Sequence, residues 1–168
     1  MNRITQVALG VAGTLAALSL AAAVFIYSGV YNIGADDHHT RIMLALIGKL
    51  RDRSITVRTR AIEVPDLDDP GRIAAGARQY AQRCVGCHLA PGVARSDLRP
   101  GLYPHPPNLA QEDPRDARRT FWTLKHGIKM SAMPAWGVTA DDATLWDIVA
   151  FVRELPSMAP ETYKRLAQ

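Results

Sequence analysis

Cysteine is nearly absent from this chain of 168 residues: there are two, Cys84 and Cys87. So small a number excludes the disulfide framework of a small secreted scaffold and a zinc site of four thiolates. Low-complexity tracts and repeats of solenoid period are missing too, and the composition is that of an ordinary globular protein. The length leaves room for one domain and an appendage, too little for a two-domain enzyme with a large substrate pocket. A basic excess is also lacking where it would count. The net charge is +4, yet residues 61–168 hold thirteen basic and thirteen acidic residues. The surplus lies in residues 35–60, with six basic residues against three acidic ones. The folded part therefore offers no phosphate-binding surface, and no nucleic-acid partner is expected.

Charge is absent altogether from Ile4 to Tyr31. Val7 to Tyr31 is apolar and long enough for the helix of about 20 residues that crosses a bilayer. A cleaved signal peptide is the competing reading, because Arg3 supplies a positive start and Ala21-Ala22-Ala23 satisfies a small-residue cleavage rule. The apolar run continues past that point through Val24, Phe25, Ile26 and Tyr27, which favours an uncleaved anchor over residues 1–34. Arg3 before the span and Asp36 and Asp37 after it place the amino terminus in the cytoplasm. Everything beyond Tyr31 then faces the periplasm, with Tyr27 and Tyr31 near the outer interface.

Residues 35–68 read as a juxtamembrane segment. Thr40 is a suitable cap for an amphipathic helix from Arg41 to about Arg53, with Ile42, Leu46, Ile47 and Leu50 at helical spacing among basic residues. Such a helix would lie on membrane lipid or a partner subunit, or else pack on its own domain; the pattern does not choose between them. His38 and His39 beside Asp36 and Asp37 suggest a metal only if ligands arrive from elsewhere. The stretch from Glu63 to Pro70 has the prolines and acids of a linker, which puts a domain at 69–168.

The two cysteines belong to Cys84-Val85-Gly86-Cys87-His88, the C-x-x-C-H signature of covalent haem attachment. Two thiols reach the vinyl groups on one edge of a porphyrin, and the adjacent imidazole becomes the proximal iron ligand. Zinc would need a second ligand pair, and a thioredoxin-like pair would need a βαβ context; neither is present. Asp69 and Pro70 open a helix that runs into the motif with Ile73, Ala77, Tyr80 and Cys84 on one face. A later helix, with Thr139 as its expected cap, carries Leu145, Ile148, Val149, Val152 and Leu155 as an apolar stripe up to Pro156.

Over residues 69–156 the chain resembles a class I c-type cytochrome. The pattern Gly76-x-x-x-Tyr80-x-x-x-Cys84 is similar to that family's glycine, aromatic and first cysteine. The resemblance implies an all-α fold of three to four helices around one haem c, with Phe151 packed near Gly76 and Tyr80. It also implies that the Pro107 carbonyl accepts the proton of His88, that Leu109 covers the haem, and that Met133, in a Met-Pro loop, is the distal ligand. Methionine ligation suits an electron-transfer haem. Met130 is expected to fill the haem crevice instead, and His105, in a Pro-rich loop, and His126, before Gly127 at the end of a helix opened by Asp113-Pro114, are weaker ligand candidates. Trp122, Trp136 and Trp146 are read as haem-wall and core residues, with Trp136 in the pocket. The function implied is single-electron transfer, without catalysis, between a donor dehydrogenase or cytochrome bc-type complex and an acceptor oxidase or reductase. The alternative is a haem enzyme or small-ligand sensor with a displaceable sixth ligand.

Overall fold

The computed structural model describes residues 2–112, 114 and 116–168, and among them all regular structure is helical. The chain forms two compact units, residues 1–37 and 38–168. In the first, helix α1 spans Arg3–Ser28, capped by the Asn2 side chain and ended by Gly29 in the left-handed conformation. At about 1.5 Å per residue its 26 residues cover the hydrocarbon thickness of a membrane. None of them is buried.

The second unit starts with α2, Arg41–Arg58, capped by Thr40 as expected but five residues longer than the sequence pattern implied. Its C-terminal half packs on the domain: Ile55 is buried, and Arg119 donates to the Thr56 hydroxyl at 2.7 Å and to the Asp52 carbonyl at 3.3 Å. The stretch read as a linker is a strap laid on the same surface. Leu67 is buried in the core, Arg118 Nε donates to the Ile62 carbonyl, and Arg153 meets Asp68. The prolines there keep the strap extended; they do not set it free.

Three helices build the core. Helix α3, Pro70–Arg83, is capped by Asp69 and buries Gly76, Ala77 and Tyr80; the single turn α4, Val85–His88, follows it. Helix α5, Ala117–His126, is capped by Asp116, whose side chain accepts from the Arg118 amide. The start expected at Asp113-Pro114 is thus displaced, and Asp113 itself lies outside the described residues. Helix α6, Asp142–Glu154, buries the whole expected stripe except Leu155, which is buried in the 3-10 turn that follows. Its cap is Asp141 and not Thr139, because Thr139 closes a 3-10 turn by donating its amide to Trp136.

Helices α3 and α6 cross at backbone distance. A Cβ on Gly76 would stand 1.9 Å from the Asp147 carbonyl oxygen and 2.9 Å from Phe151 Cβ. The Tyr80 and Phe151 rings meet beside this crossing with centroids 5.3 Å apart, and Arg72 pairs with Asp147 at 2.9 Å. A last helix, α7, Pro160–Leu166, had no counterpart in the sequence reading. It adds Tyr163 to the core against Phe151.

Candidate haem-binding site

The site grows from the C-terminus of α3. Helical hydrogen bonding carries through Cys84, whose amide reaches the Tyr80 carbonyl, into the turn that presents Cys87 and His88. Leu89 then reverses the chain at φ 59° and ψ −174°, a region of backbone space used almost only by glycine. Three bonds hold this strained corner, the first from the Leu89 amide to the Val85 carbonyl at 3.0 Å. Tyr80 Oη donates to the Leu89 carbonyl at 2.7 Å inside the core, and the Leu109 amide donates to the His88 carbonyl at 3.2 Å.

The imidazole is oriented from the same segment. His88 Nδ1 lies 3.0 Å from the Pro107 carbonyl, so it carries the proton and leaves Nε2 available to bind iron. Burial pushes the pKa of His88 below its ordinary value, with the Pro107 bond opposing. Arg99 steadies the neighbouring carbonyl, of Pro106, through Nη2 at 2.8 Å. The Cys84 thiol is pushed up to about 12, first by burial, so it is held protonated.

Met133 sits in a tight loop that leaves α5. Gly127 turns the chain at φ 65° and ψ −169°, a second glycine-type conformation, and a Cβ there would lie 2.7 Å from the Met133 carbonyl. The loop closes through Ile128 N–H to the Met133 carbonyl at 3.1 Å, Ser131 Oγ to the Ile128 carbonyl at 2.8 Å, and Met133 N–H to Ser131 Oγ at 3.2 Å.

These elements meet around one cavity of about 360 Å³, within the roughly 300–1,000 Å³ usual for cofactor sites. Cys84, Cys87, His88, Pro107, Leu109, Met133 and Trp136 all line it. Two thiols, an imidazole and a thioether around an apolar chamber are the donor set of a haem c, and the residues present fit that group.

Other expectations change. Met130 does not fill the crevice: it is fully exposed, at a left-handed φ of 56°, because the loop closes between Ile128 and Met133 and pushes its tip outward. His126 is exposed against Trp122, with ring centroids 4.8 Å apart, and neither lines the cavity. Trp146 stacks on Phe121 instead of forming the haem wall. Of the three indoles only Trp136 lines the chamber, with the Arg83 guanidinium 5.3 Å from its ring. His105 is exposed but reaches the cavity rim, in the loop that holds His88. His38 stacks on Tyr103 at 4.3 Å, and among the described residues no group of three or more His, Cys, Asp or Glu is placed to hold a metal ion.

The sequence reading gave no part in the site to Gly127, Ser131 or Arg99. Gly127 carried a signal, since a glycine after a helix and six residues before a Met-Pro pair marks a sharp turn into the loop. Arg99 carried none, because it acts on a carbonyl seven residues away, and Ser131 bonds only locally, to the Ile128 carbonyl three residues before it, which any loop serine can do.

No solved structure gives a significant match to the chain. Residues 71–152 match the family model described as cytochrome c oxidase, cbb3-type, subunit III. That segment contains the attachment motif, the Pro107–Leu109 segment, the Met133 loop and nearly all of the α3–α6 crossing, and residues 71–152 are therefore a c-type cytochrome domain, a haem-based electron-transfer module.

Proposed function

We propose that this protein is a membrane-anchored monohaem cytochrome c that passes single electrons between respiratory or dehydrogenase partners on the periplasmic side of the inner membrane. The observation that carries the reading is the convergence of both cysteines, His88 and Met133 on one apolar cavity. When bound, a haem supplies a one-electron iron couple, and the protein transforms no substrate of its own.

The chain's residues divide the remaining work. Cys84 and Cys87 would hold the porphyrin through two thioethers. His88, its ring fixed by Pro107, and Met133 would hold the iron, and a soft thioether ligand would favour the ferrous state and raise the potential. Leu109 and Trp136 keep water from the chamber, so little solvent must reorganise when charge arrives or leaves.

Helix α1 supports a single-pass anchor by length and composition. Arg3 before it and Asp36 and Asp37 after it support the outward orientation of the haem domain. Tethering would raise the effective concentration of the haem beside a membrane complex. The matched family's description supports an oxidase as the acceptor; the donor is a dehydrogenase or a cytochrome bc-type complex.

The test is direct. Wild-type protein should keep haem staining after denaturation, show a low-spin spectrum in both oxidation states and bind carbon monoxide slowly. Cys84→Ala should weaken or abolish the stain. Unchanged staining in that variant would sink covalent attachment, and rapid carbon monoxide binding by wild type would move the assignment to a haem enzyme or ligand sensor.

A further inference from the structure

Helix α2 wears its apolar residues on the wrong side for a helix that packs on a domain. Ile42, Leu46, Leu50 and Val57 recur at intervals of four and seven, which makes them one stripe at 3.6 residues per turn. They are 75%, 62%, 72% and 50% exposed. The opposite face, with Asp52, Ile55 and Thr56, is the one that meets the rest of its unit, partly through the polar bonds from Arg119. Docking through that face leaves the stripe uncovered.

Basic residues accompany the stripe. Arg53 lies within it, between Leu50 and Val57, and Lys49 lies at its edge, while Arg51 is turned toward the haem cavity; Asp52 is the helix's one acidic residue against five basic ones. Asp52 is itself met by Arg51 and Arg119. An apolar stripe accompanied by long cationic side chains matches the layering of a lipid surface, acyl chains below and anionic headgroups at the level where Lys and Arg heads emerge. Position agrees: twelve residues separate α1 from α2, a span of at most about 40 Å when extended.

We propose that the Ile42–Leu46–Leu50–Val57 face of α2 lies in the headgroup region of an anionic bilayer. The proposal rests on the reading of α1 as the anchor in that bilayer. Helix α2 is then a second, in-plane attachment that fixes which side of the haem domain faces lipid.

The full-length holoprotein in phosphatidylglycerol vesicles tests this with nitroxide labels at Leu46→Cys and Leu50→Cys. A label at Leu15→Cys reports the anchor and one at Gln168→Cys the aqueous reference. The α2 labels should collide with a water-soluble nickel chelate several-fold less often than the Gln168→Cys label, and more often with oxygen. High salt or uncharged phosphatidylcholine should reduce that protection. Labels on α2 as open to the chelate as the reference, with Leu15→Cys deep in lipid, would overturn the proposal, leave the anchor standing and make the stripe a surface for protein. Protected α2 labels with Leu15→Cys in water would sustain the in-plane helix and sink the anchor. Openness at all three positions would sink both.

Discussion

The Asp147 carbonyl oxygen occupies the place where a side chain on Gly76 would begin, 1.9 Å from the position of its Cβ. Two helices can approach so closely only where one of them has no side chain, and this contact sets the distance between α3 and α6. Because α3 also delivers Cys84 and α6 lends Ile148 and Val152 to the cavity wall, the crossing fixes the width of the haem chamber.

Gly76→Ala should therefore destabilise the domain by about 3 kcal/mol, the upper range for overpacking a closed core. Gly48→Ala, in α2 with nothing within 4 Å of the added carbon, should be neutral or stabilising by about 0.5–1 kcal/mol. Denaturant unfolding followed by helical circular dichroism measures both. Equal effects at the two sites would show that the helices can part without cost.

Tyr80→Phe removes one oxygen and leaves the Leu89 carbonyl buried without its partner. The expected loss is about 1–3 kcal/mol. The corner at Leu89 then loses one of its three restraints, so amide exchange should speed up at 87–89 more than in α6. Uniform acceleration across the domain would mean that the hydroxyl serves global stability alone.

Legibility followed the range of the interactions. The α3 pattern of Gly76, Tyr80 and Cys84 and the α6 stripe were plain because each is repeated within one helix. The tie from His88 to Pro107 could be expected only through resemblance, since 19 residues separate the partners. Caps were harder: Asp141 and Thr139 both suit the start of α6, and the choice fell to a 3-10 turn that consumes Thr139. The side on which α2 docks was illegible. Its apolar stripe points away from the domain, and the residue that holds it, Arg119, lies 63 positions from Thr56. Met130 and Met133 were told apart in the sequence only by the resemblance of Met133-Pro134 to a ligand loop; the closure of the loop at Ile128 supplies the physical reason, leaving Met130 exposed and Met133 at the cavity.

Asp141 links the α6 cap to acid stability. Its side chain accepts from the Thr144 amide at 2.8 Å, and hydrogen bonding to Thr144 holds its pKa below the usual carboxylate range. The unfolded chain binds this proton more readily than the folded one, so the contribution is present above the ordinary aspartate pKa of about 3.9 and is lost as pH falls through the depressed folded value. Asp141→Asn keeps an oxygen acceptor and removes the titration. Its unfolding midpoint should stay close to wild type at neutral pH and fall less steeply on acidification. Parallel acid profiles would refute the linkage.

The Met133 loop depends on Gly127 more than on any residue within it. At φ 65° and ψ −169° an alanine faces backbone strain of about 1–3 kcal/mol before contacts are counted. Its methyl would also stand 2.7 Å from the Met133 carbonyl oxygen, which is the acceptor for Ile128 N–H and so the closure of the loop. Relief requires the 128–133 segment to move, and Met133 moves with it. Gly127→Ala should then give a partly high-spin spectrum and carbon monoxide binding several-fold faster than wild type, resembling a mild form of Met133→Ala, which should be fully high-spin with a lowered potential. Met130→Ala, at an exposed side chain, should leave spectrum and potential unchanged. Optical titration of the three variants separates the possibilities, for if Met130→Ala loses the low-spin state while Met133→Ala keeps it, the ligand is Met130 and the loop must close differently when haem is bound.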